Sequence, residues 1–259
     1  MKLTMYQVDA FTEKIFGGNP AAVCPLESWL PAPLMQAIAA ENNLAETAFF
    51  VRDGDRFEIR WFTPAAEVDL CGHATLASAH VLFHHLGYTK AEIVFRSQSG
   101  ELRALKKDEL IYLDFPAHSP VAAPVEEALI KGLGKTPREV HKGRDYLAVF
   151  GEEADIVSIR PDFSELLKLD CLGIIATAPG SACDFVSRFF APRVGVPEDP
   201  VTGSAHTLLI PYWAKRLGKN TLRAVQVSKR RGELFCEFLG ARVLIGGRAV
   251  TFFQAAVEI

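Results

Sequence analysis

Between Arg56 and Trp61 the chain alternates: Phe57, Ile59 and Trp61 are apolar while Arg56, Glu58 and Arg60 are charged, the two-residue period of a strand with one buried face. A different period takes over at residue 73. Across residues 73–86 (Leu76, Ala77, Val81, Leu82) and again across 204–217 (Leu208, Leu209, Tyr212, Trp213), apolar side chains spread widely round a helix. Each stretch runs into a glycine, Gly87 or Gly218, suited to a left-handed cap. Helices so apolar all round are predicted to be buried. Pro211 lacks an N–H and must kink the second helix or end its first part. Leu34, Ile38 and the alanines between them suggest a shorter helix ending at Glu41-Asn42-Asn43, then a strand through Phe49-Phe50-Val51.

The two apolar helices belong to a repeat. Arg60-Trp61-Phe62-Thr63-Pro64 recurs as Arg188-Phe189-Phe190-Ala191-Pro192 at an offset of 128 residues. Each copy is followed by an Asp and then by a Gly that opens the apolar stretch, Asp69 to Gly72 and Asp199 to Gly203. Downstream, Ile93-Val94-Phe95 before Gly100-Glu101-Leu102 parallels Val225-Gln226-Val227 before Gly232-Glu233-Leu234. Three ordered matches argue for duplication. With short β-rich segments on both sides of each helix, each half is predicted to be strands curled round one central helix, an α+β organisation. Domains are expected at residues 1–115, with 250–259 returning to it, and at 121–249. The proline-rich residues 116–120 form the linker.

Composition narrows the function classes. Twenty-eight basic residues against 31 acidic ones give a net charge of −3 with no long run of either sign, so nucleic acid is not an expected partner. The N-terminal residues lack an apolar signal core and no stretch suits a membrane span, which predicts a cytoplasmic protein. The five cysteines are scattered without a Cys-x-x-Cys pair, and His84-His85 makes a poor chelate, so neither disulfides nor a structural metal is expected.

The repeated turns carry the chemistry. The first N–H groups of a helix lack intrahelical partners and carry partial positive charge, so helix starts at Gly72 and Gly203 can receive a substrate carboxylate. Alternatively, these glycines only allow tight turns. Reactive side chains flank both: Cys71 and His73 in one copy, Thr202 and Ser204 in the other. Cys71 reads equally as a buried small hydrophobe or as a thiolate favoured by a helix start. His73 can orient substrate or relay a proton, and Asp199 reads evenly as a turn residue or a functional acid.

Gly18-Asn19-Pro20, the Asn42-Leu44-Glu46-Thr47 segment, Asp69-Leu70-Cys71-Gly72-His73-Ala74-Thr75 and Glu198-Asp199-Pro200-Val201-Thr202-Gly203-Ser204-Ala205-His206 resemble the signature segments of the PhzF-like isomerases of phenazine biosynthesis. The resemblance spans nearly the whole chain. It implies the diaminopimelate epimerase-like fold, two similar domains that each wrap a β-barrel-like sheet round a central helix, with the active site in the cleft between them. It implies a homodimer and catalysis without metal or organic cofactor. Diaminopimelate epimerase uses two cysteines as bases; here Thr202 stands at the second position, and the PhzF branch uses a glutamate. By resemblance Glu46 is the catalytic carboxylate and His73, Asp199 and Ser204 support it. Asn19, Cys71, Gly72, Thr202 and Gly203 form the substrate-binding set. Desolvation in a closed site is expected to raise the Glu46 pKa to roughly 6–7.

The leading expectation is a cofactor-free isomerase that shifts a proton and a double bond in a small cyclic amino or hydroxy carboxylate. A racemase or epimerase using Cys71 with a second base, and a non-catalytic metabolite-binding protein, are the alternatives.

Overall fold

The alternating segment at Arg56 is a strand in the computed structural model, which describes residues 1–259. It belongs to a unit made of Met1–Phe115 and Ile245–Ile259. In chain order that unit contains β1 (Lys2–Ala10), β2 (Asn19–Leu26), α1 (Ala32–Asn42), β3 (Glu46–Asp53), β4 (Arg56–Phe62), β5 (Glu67–Val68), α2 (Gly72–His84), β6 (Glu92–Ser97), β7 (Gly100–Lys107) and β8 (Leu110–Pro116). The second unit, Pro116–Leu244, contains β9 (Val121–Ala122), α3 (Glu127–Leu133), β10 (Glu139–Lys142), β11 (Tyr146–Val149), α4 (Glu153–Val157), α5 (Phe163–Leu166), β12 (Ile174–Pro179), β13 (Phe185–Ala191), β14 (Val196–Asp199), α6 (Gly203–Leu217), β15 (Thr221–Gln226) and β16 (Gly232–Phe238). Strand β17 (Arg242–Gly247) carries the chain back to the first unit, where β18 (Ala249–Glu258) ends it. The fold is α+β.

Strand pairing makes the duplication explicit. In the first unit β1 pairs antiparallel with β18 and with β2, β2 parallel with β3, β3 antiparallel with β4, β4 parallel with β6, and β6–β7–β8 form an antiparallel run. The second unit repeats these relations strand for strand: β10 with β9 and β11, β11 parallel with β12, β12 antiparallel with β13, β13 parallel with β15, β15 antiparallel with β16. In each unit the long apolar helix makes the parallel crossover. Every residue of α2 from His73 to Phe83 is buried. Since α2 packs on β18, β1, β2, β3 and β7, the sheet has to curve round it. The α6 helix is buried at ten positions, Leu208, Leu209, Ile210 and Trp213 among them, and packs on β15 and β16.

A shared device joins strand to helix. Arg60 makes a bidentate pair with Glu67 at 2.7 Å and lies over the Phe62 ring. Arg188 makes the same pair with Glu198, at 2.7 and 2.9 Å, and lies over Phe190. Each guanidinium thus ties its strand to the short strand leading into the helix, and the planar fork suits that geometry.

The ladders also correct the sequence alignment of the copies. Val68 pairs with Trp61 as Asp199 pairs with Phe189, so Asp199 stands where the first copy has Val68. Asp69 is exposed and has no counterpart role. Likewise Phe57 faces Phe95 as Phe185 faces Ala224, which makes Ser97, the last residue of β6, the positional counterpart of Gln226, the last of β15. The hairpin after Gln226 is longer than the one after Ser97, and that insertion produced the false alignment of Val94 with Gln226.

One helix expectation changes, and of the two outcomes open at Pro211 one is removed. Helix α2 stops at His84, capped by His85 in the right-handed region, and Gly87 takes up its positive φ beyond the end; Gly218 does cap α6, with φ 66°. Pro211 does not end its helix, which continues to Leu217. The carbonyl deprived of a partner by the proline, that of Thr207, instead accepts the His118 N–H at 3.0 Å, so the break carries no unpaired group. No helix is long and apolar enough to cross a membrane.

Candidate active site

Three elements of the first unit bring Glu46 and His73 together. Helix α1 ends on Asn43 in the left-handed conformation (φ 47°), which turns the chain back into β3, and β3 pairs with β2 so that Glu46 faces Ala21. Next to it, Gly18 has φ +57° and an added Cβ would run into the Ala10 carbonyl, so the Gly18-Asn19-Pro20 turn requires glycine. His73 is the second residue of α2, and Cys71 is the residue before its start. The result is a cluster around one imidazole. Glu46 Oε2 lies 3.1 Å from His73 Nε2, while Asn19 Nδ2 and Cys71 Sγ lie 3.2 and 3.5 Å from Nδ1.

Burial of the cluster sets its charges. Asn19 is fully buried, His73 and Cys71 nearly so, and only the Glu46 side chain keeps partial exposure, 19%. Burial pushes the Cys71 thiol up, helped by the Glu46 carboxylate, to about 11. A thiol is therefore the neutral-pH form, which decides against the thiolate reading. Burial also pushes Glu46 upward, but the charge and contacts of His73, and a contact from Cys71, outweigh it and hold the carboxyl below its ordinary range. This reverses the expected rise toward 6–7: the sequence shows the desolvation but not the cation beside it. For His73, burial works against the charged form, yet contacts with Cys71 and the charge of Glu46 hold the imidazolium above its ordinary range. With Cys71 protonated, Glu46 is the charge that acts. Nε2 and Oε2 make an ion-pair contact that is not aligned as a hydrogen bond, and neither atom has another hydrogen-bond partner. An imidazolium carries N–H on both nitrogens, so Asn19 meets it with its carbonyl oxygen when the amide turns over.

Glu46, Cys71 and His73 also offer three metal-ligating atoms within 4.8 Å of one another. A carboxylate, a thiolate and an imidazole suit a zinc-like cation. The thiol and the carboxylate lie against different ring nitrogens, and the thiol would have to ionise before it could hold a cation.

The second unit builds a different cluster at the equivalent turn. Asp199 ends β14, and Thr202 precedes the first residue of α6. The Thr202 hydroxyl donates to Asp199 Oδ2 at 2.5 Å. Gln226, which the sequence reading missed, reaches both residues from the end of β15. Ser204 is partly exposed in the first turn of α6. The two turns share an anchor: Thr75 Oγ1 donates to the Cys71 carbonyl at 2.6 Å, and His206 Nδ1 donates to the Thr202 carbonyl at 2.8 Å, each from one turn on. Burial pulls His206 down to about 4, so its ring is neutral.

Neither α2 nor α6 has a side-chain cap or an acidic residue in its first turn. Gly72 and Gly203 have no positive φ, so left-handed backbone is not what calls for glycine there. Helix starts of this kind leave N–H groups open to an anion.

The family model for phenazine biosynthesis-like proteins, PhzC-PhzF, matches residues 8–255. Two uncharacterized isomerases of Pseudomonas aeruginosa are 50% and 53% identical to it, each over 260 residues and the full length of both chains. The crystal structure of a PhzF-family protein from Enterococcus faecalis superposes with TM-score 0.99 at 50% identity over the whole of both chains. A hydroxyproline epimerase from Agrobacterium vitis, at 10% identity, TM-score 0.61, and 99% and 92% coverage, shares the fold alone. The chain belongs to the phenazine biosynthesis-like PhzC-PhzF family and is an isomerase.

Proposed function

We propose that this isomerase moves a proton, and with it a double bond, within a small cyclic amino or hydroxy carboxylate, with Glu46 as the base that takes the proton from carbon and the acid that returns it. The buried Glu46–His73 pair carries this reading: an ionised carboxylate 3.1 Å from an imidazolium. Only the ionised carboxylate can accept a proton. As it does so, the electron pair of the C–H bond passes into the substrate's conjugated system, and the His73 cation becomes available to the negative charge that builds up there. Glu46 then donates the same proton to the far carbon, and no co-reactant is consumed. A substrate carboxylate entering the site adds a like charge and displaces water, and both effects push Glu46 upward, so the base strengthens on binding. In this reading Asn19 positions His73, the first-turn N–H groups at Gly72 and Gly203 receive the substrate carboxylate beside Cys71 and Thr202, and Asp199 and Ser204 orient the substrate.

The test is turnover of a panel of cyclic amino and hydroxy acids in D2O, followed by proton NMR. A one-base shift returns part of the substrate hydrogen to the product. Glu46→Gln should abolish turnover and retain ligand binding; unchanged turnover would sink the assignment. A two-base epimerase in which Cys71 takes the proton would require it as a thiolate at neutral pH, against its rise to about 11. Complete incorporation of solvent deuterium at the new C–H bond would support that alternative.

A further inference from the structure

We propose that Gln226 is a positioning residue: its carboxamide sets the direction of a hydrogen-bond relay through Thr202 to Asp199, and so fixes that carboxylate and the entry to α6 before any ligand arrives. The inference rests on the reading that Asp199 serves the substrate.

Gln226 is fully buried at the end of a strand whose neighbours, Ala224 and Val225, are apolar and buried. An unsatisfied amide there would be costly, so its hydrogen bonds are the reason it is tolerated. Oε1 accepts the Thr202 N–H at 2.9 Å. Nε2 donates to the Asp199 carbonyl at 2.8 Å and to Thr202 Oγ1 at 3.1 Å. The amide cannot turn over, because its NH2 would then face the Thr202 N–H and its carbonyl would face the Asp199 carbonyl. Since Nε2 occupies Thr202 Oγ1 as an acceptor, the hydroxyl proton points the other way, to Asp199 Oδ2 at 2.5 Å. Amide, hydroxyl and carboxylate thus form a chain with one permitted direction, and it ends on an accepting oxygen of Asp199.

The first unit shows that the fold does not need this chain. Its equivalent positions are Val68 for Asp199, Cys71 for Thr202 and Ser97 for Gln226. Ser97 closes only its own hairpin, donating to the Gly100 carbonyl at 3.0 Å. The same turn therefore forms without a relay, and all three relay members are peculiar to the second unit.

The experiment is a carbon-13 NMR titration of the Asp199 carboxyl in full-length protein labelled at Asp Cγ, assigned with Asp199→Asn. Thr202→Val should raise the Asp199 midpoint by about one unit, through loss of a hydrogen bond to the charged form. Gln226→Met should raise it by a smaller, measurable amount, because the Thr202 hydroxyl is then free to turn away. In the Thr202→Val background, Gln226→Met should add nothing further. Thr202→Ser, which keeps the hydroxyl, should restore the wild-type midpoint. An Asp199 midpoint unmoved by Gln226→Met, or moved equally in both backgrounds, overturns the proposal. If Gln226→Met fails to fold, Gln226→Glu replaces it: this variant keeps the acceptor for Thr202 N–H but loses both donors, and its added charge raises the midpoint in either background. The smaller rise in the Thr202→Val background then supports the relay, and equal rises refute it. The titration needs no substrate, so it can fail while the Glu46 assignment stands. Full turnover by Asp199→Asn would instead remove the catalytic purpose and leave the relay intact.

Discussion

Replacing Glu46 by Gln should discharge His73. The carboxylate stands 3.1 Å from the ring nitrogen. At that separation, and an effective dielectric of about 20, the attraction is ~5 kcal/mol. At 1.36 kcal/mol per pKa unit this corresponds to roughly four units, and the partial exposure of Glu46 reduces the expected change to about two or three. With the carboxylate gone, only burial acts on the imidazolium, since the Cys71 thiol is neutral, and burial favours the uncharged ring. His73 should therefore fall from well above 6.5 to below it. The assay is the carbon-13 Cε1 chemical shift of labelled histidine followed across pH 4–10, in wild type and in Glu46→Gln. Stability should follow the same logic. The raised His73 contributes stability below its unfolded value, near 6.5, and loses it as pH rises through its folded value. The lowered Glu46 contributes stability above its unfolded value, near 4.5, and loses it as pH falls through its folded value. The pair thus favours the wild type most between these limits, and the wild-type advantage over Glu46→Gln should shrink at both ends. A His73 that still titrates above 6.5 in Glu46→Gln would refute the electrostatic account of the site.

Three further outcomes follow from particular contacts. Cys71→Ser should cost less than about tenfold in kcat/KM if the thiol is no base, where loss of an essential base costs roughly 100-fold or more; steady-state kinetics on the substrate found by the panel decides. Glu198→Ala removes the carboxylate paired with the Arg188 guanidinium, whose side chain is 11% exposed and keeps only the Ile156 and Ile159 carbonyls as acceptors, and should cost about 3 kcal/mol in urea unfolding, whereas Glu67→Ala, beside the 26%-exposed Arg60, should cost about 1; equal losses would contradict the burial argument. Pro211→Ala should stabilise by well under the ~3 kcal/mol expected for removing a proline from a helix interior, since the Thr207 carbonyl already has the His118 N–H; a full gain in urea unfolding would refute that satisfaction.

What the sequence disclosed was whatever recurs at short range. The alternation at Phe57, Ile59 and Trp61, the all-round apolar stretch from Leu76 to Leu82 and the doubled Arg-x-Phe strand are local patterns, and each became the expected element. The rest depended on contacts across long stretches of chain. Glu46 and His73 lie 27 residues apart, and nothing local announces that a cation will hold the Glu46 carboxyl down. Asn19 and His73 are separated by 54 residues, and Gln226 and Thr202 by 24. Gln226 did leave one signal, a carboxamide between Val225 and Val227 in a strand that is otherwise apolar where buried. Insertions near Pro192 and in the hairpin after Gln226 hid its true counterpart.

With the ladders aligned, the divergence of the two copies has a pattern. By the same strand pairing, Glu46 and Asn19 correspond to Gly173 and Gly143 in the second unit, and His73 corresponds to Ser204. In the other direction Asp199, Thr202 and Gln226 correspond to Val68, Cys71 and Ser97. Each unit has thus gained a polar set around its helix start that the other lacks as a set, while both kept the Arg–Glu clamp and the uncapped first turn. A symmetrical pair of bases would predict the same reactive side chain at Cys71 and Thr202. The observed division instead gives one unit a carboxylate charged by its cationic neighbour and the other a carboxylate oriented by a neutral relay. Transplanting one set should therefore fail as a replacement for the other: Thr202→Cys creates a second thiol in a turn that contains no imidazolium. If that variant gained racemase activity, measured by deuterium wash-in at the substrate's α-carbon, the argument from asymmetry would be wrong.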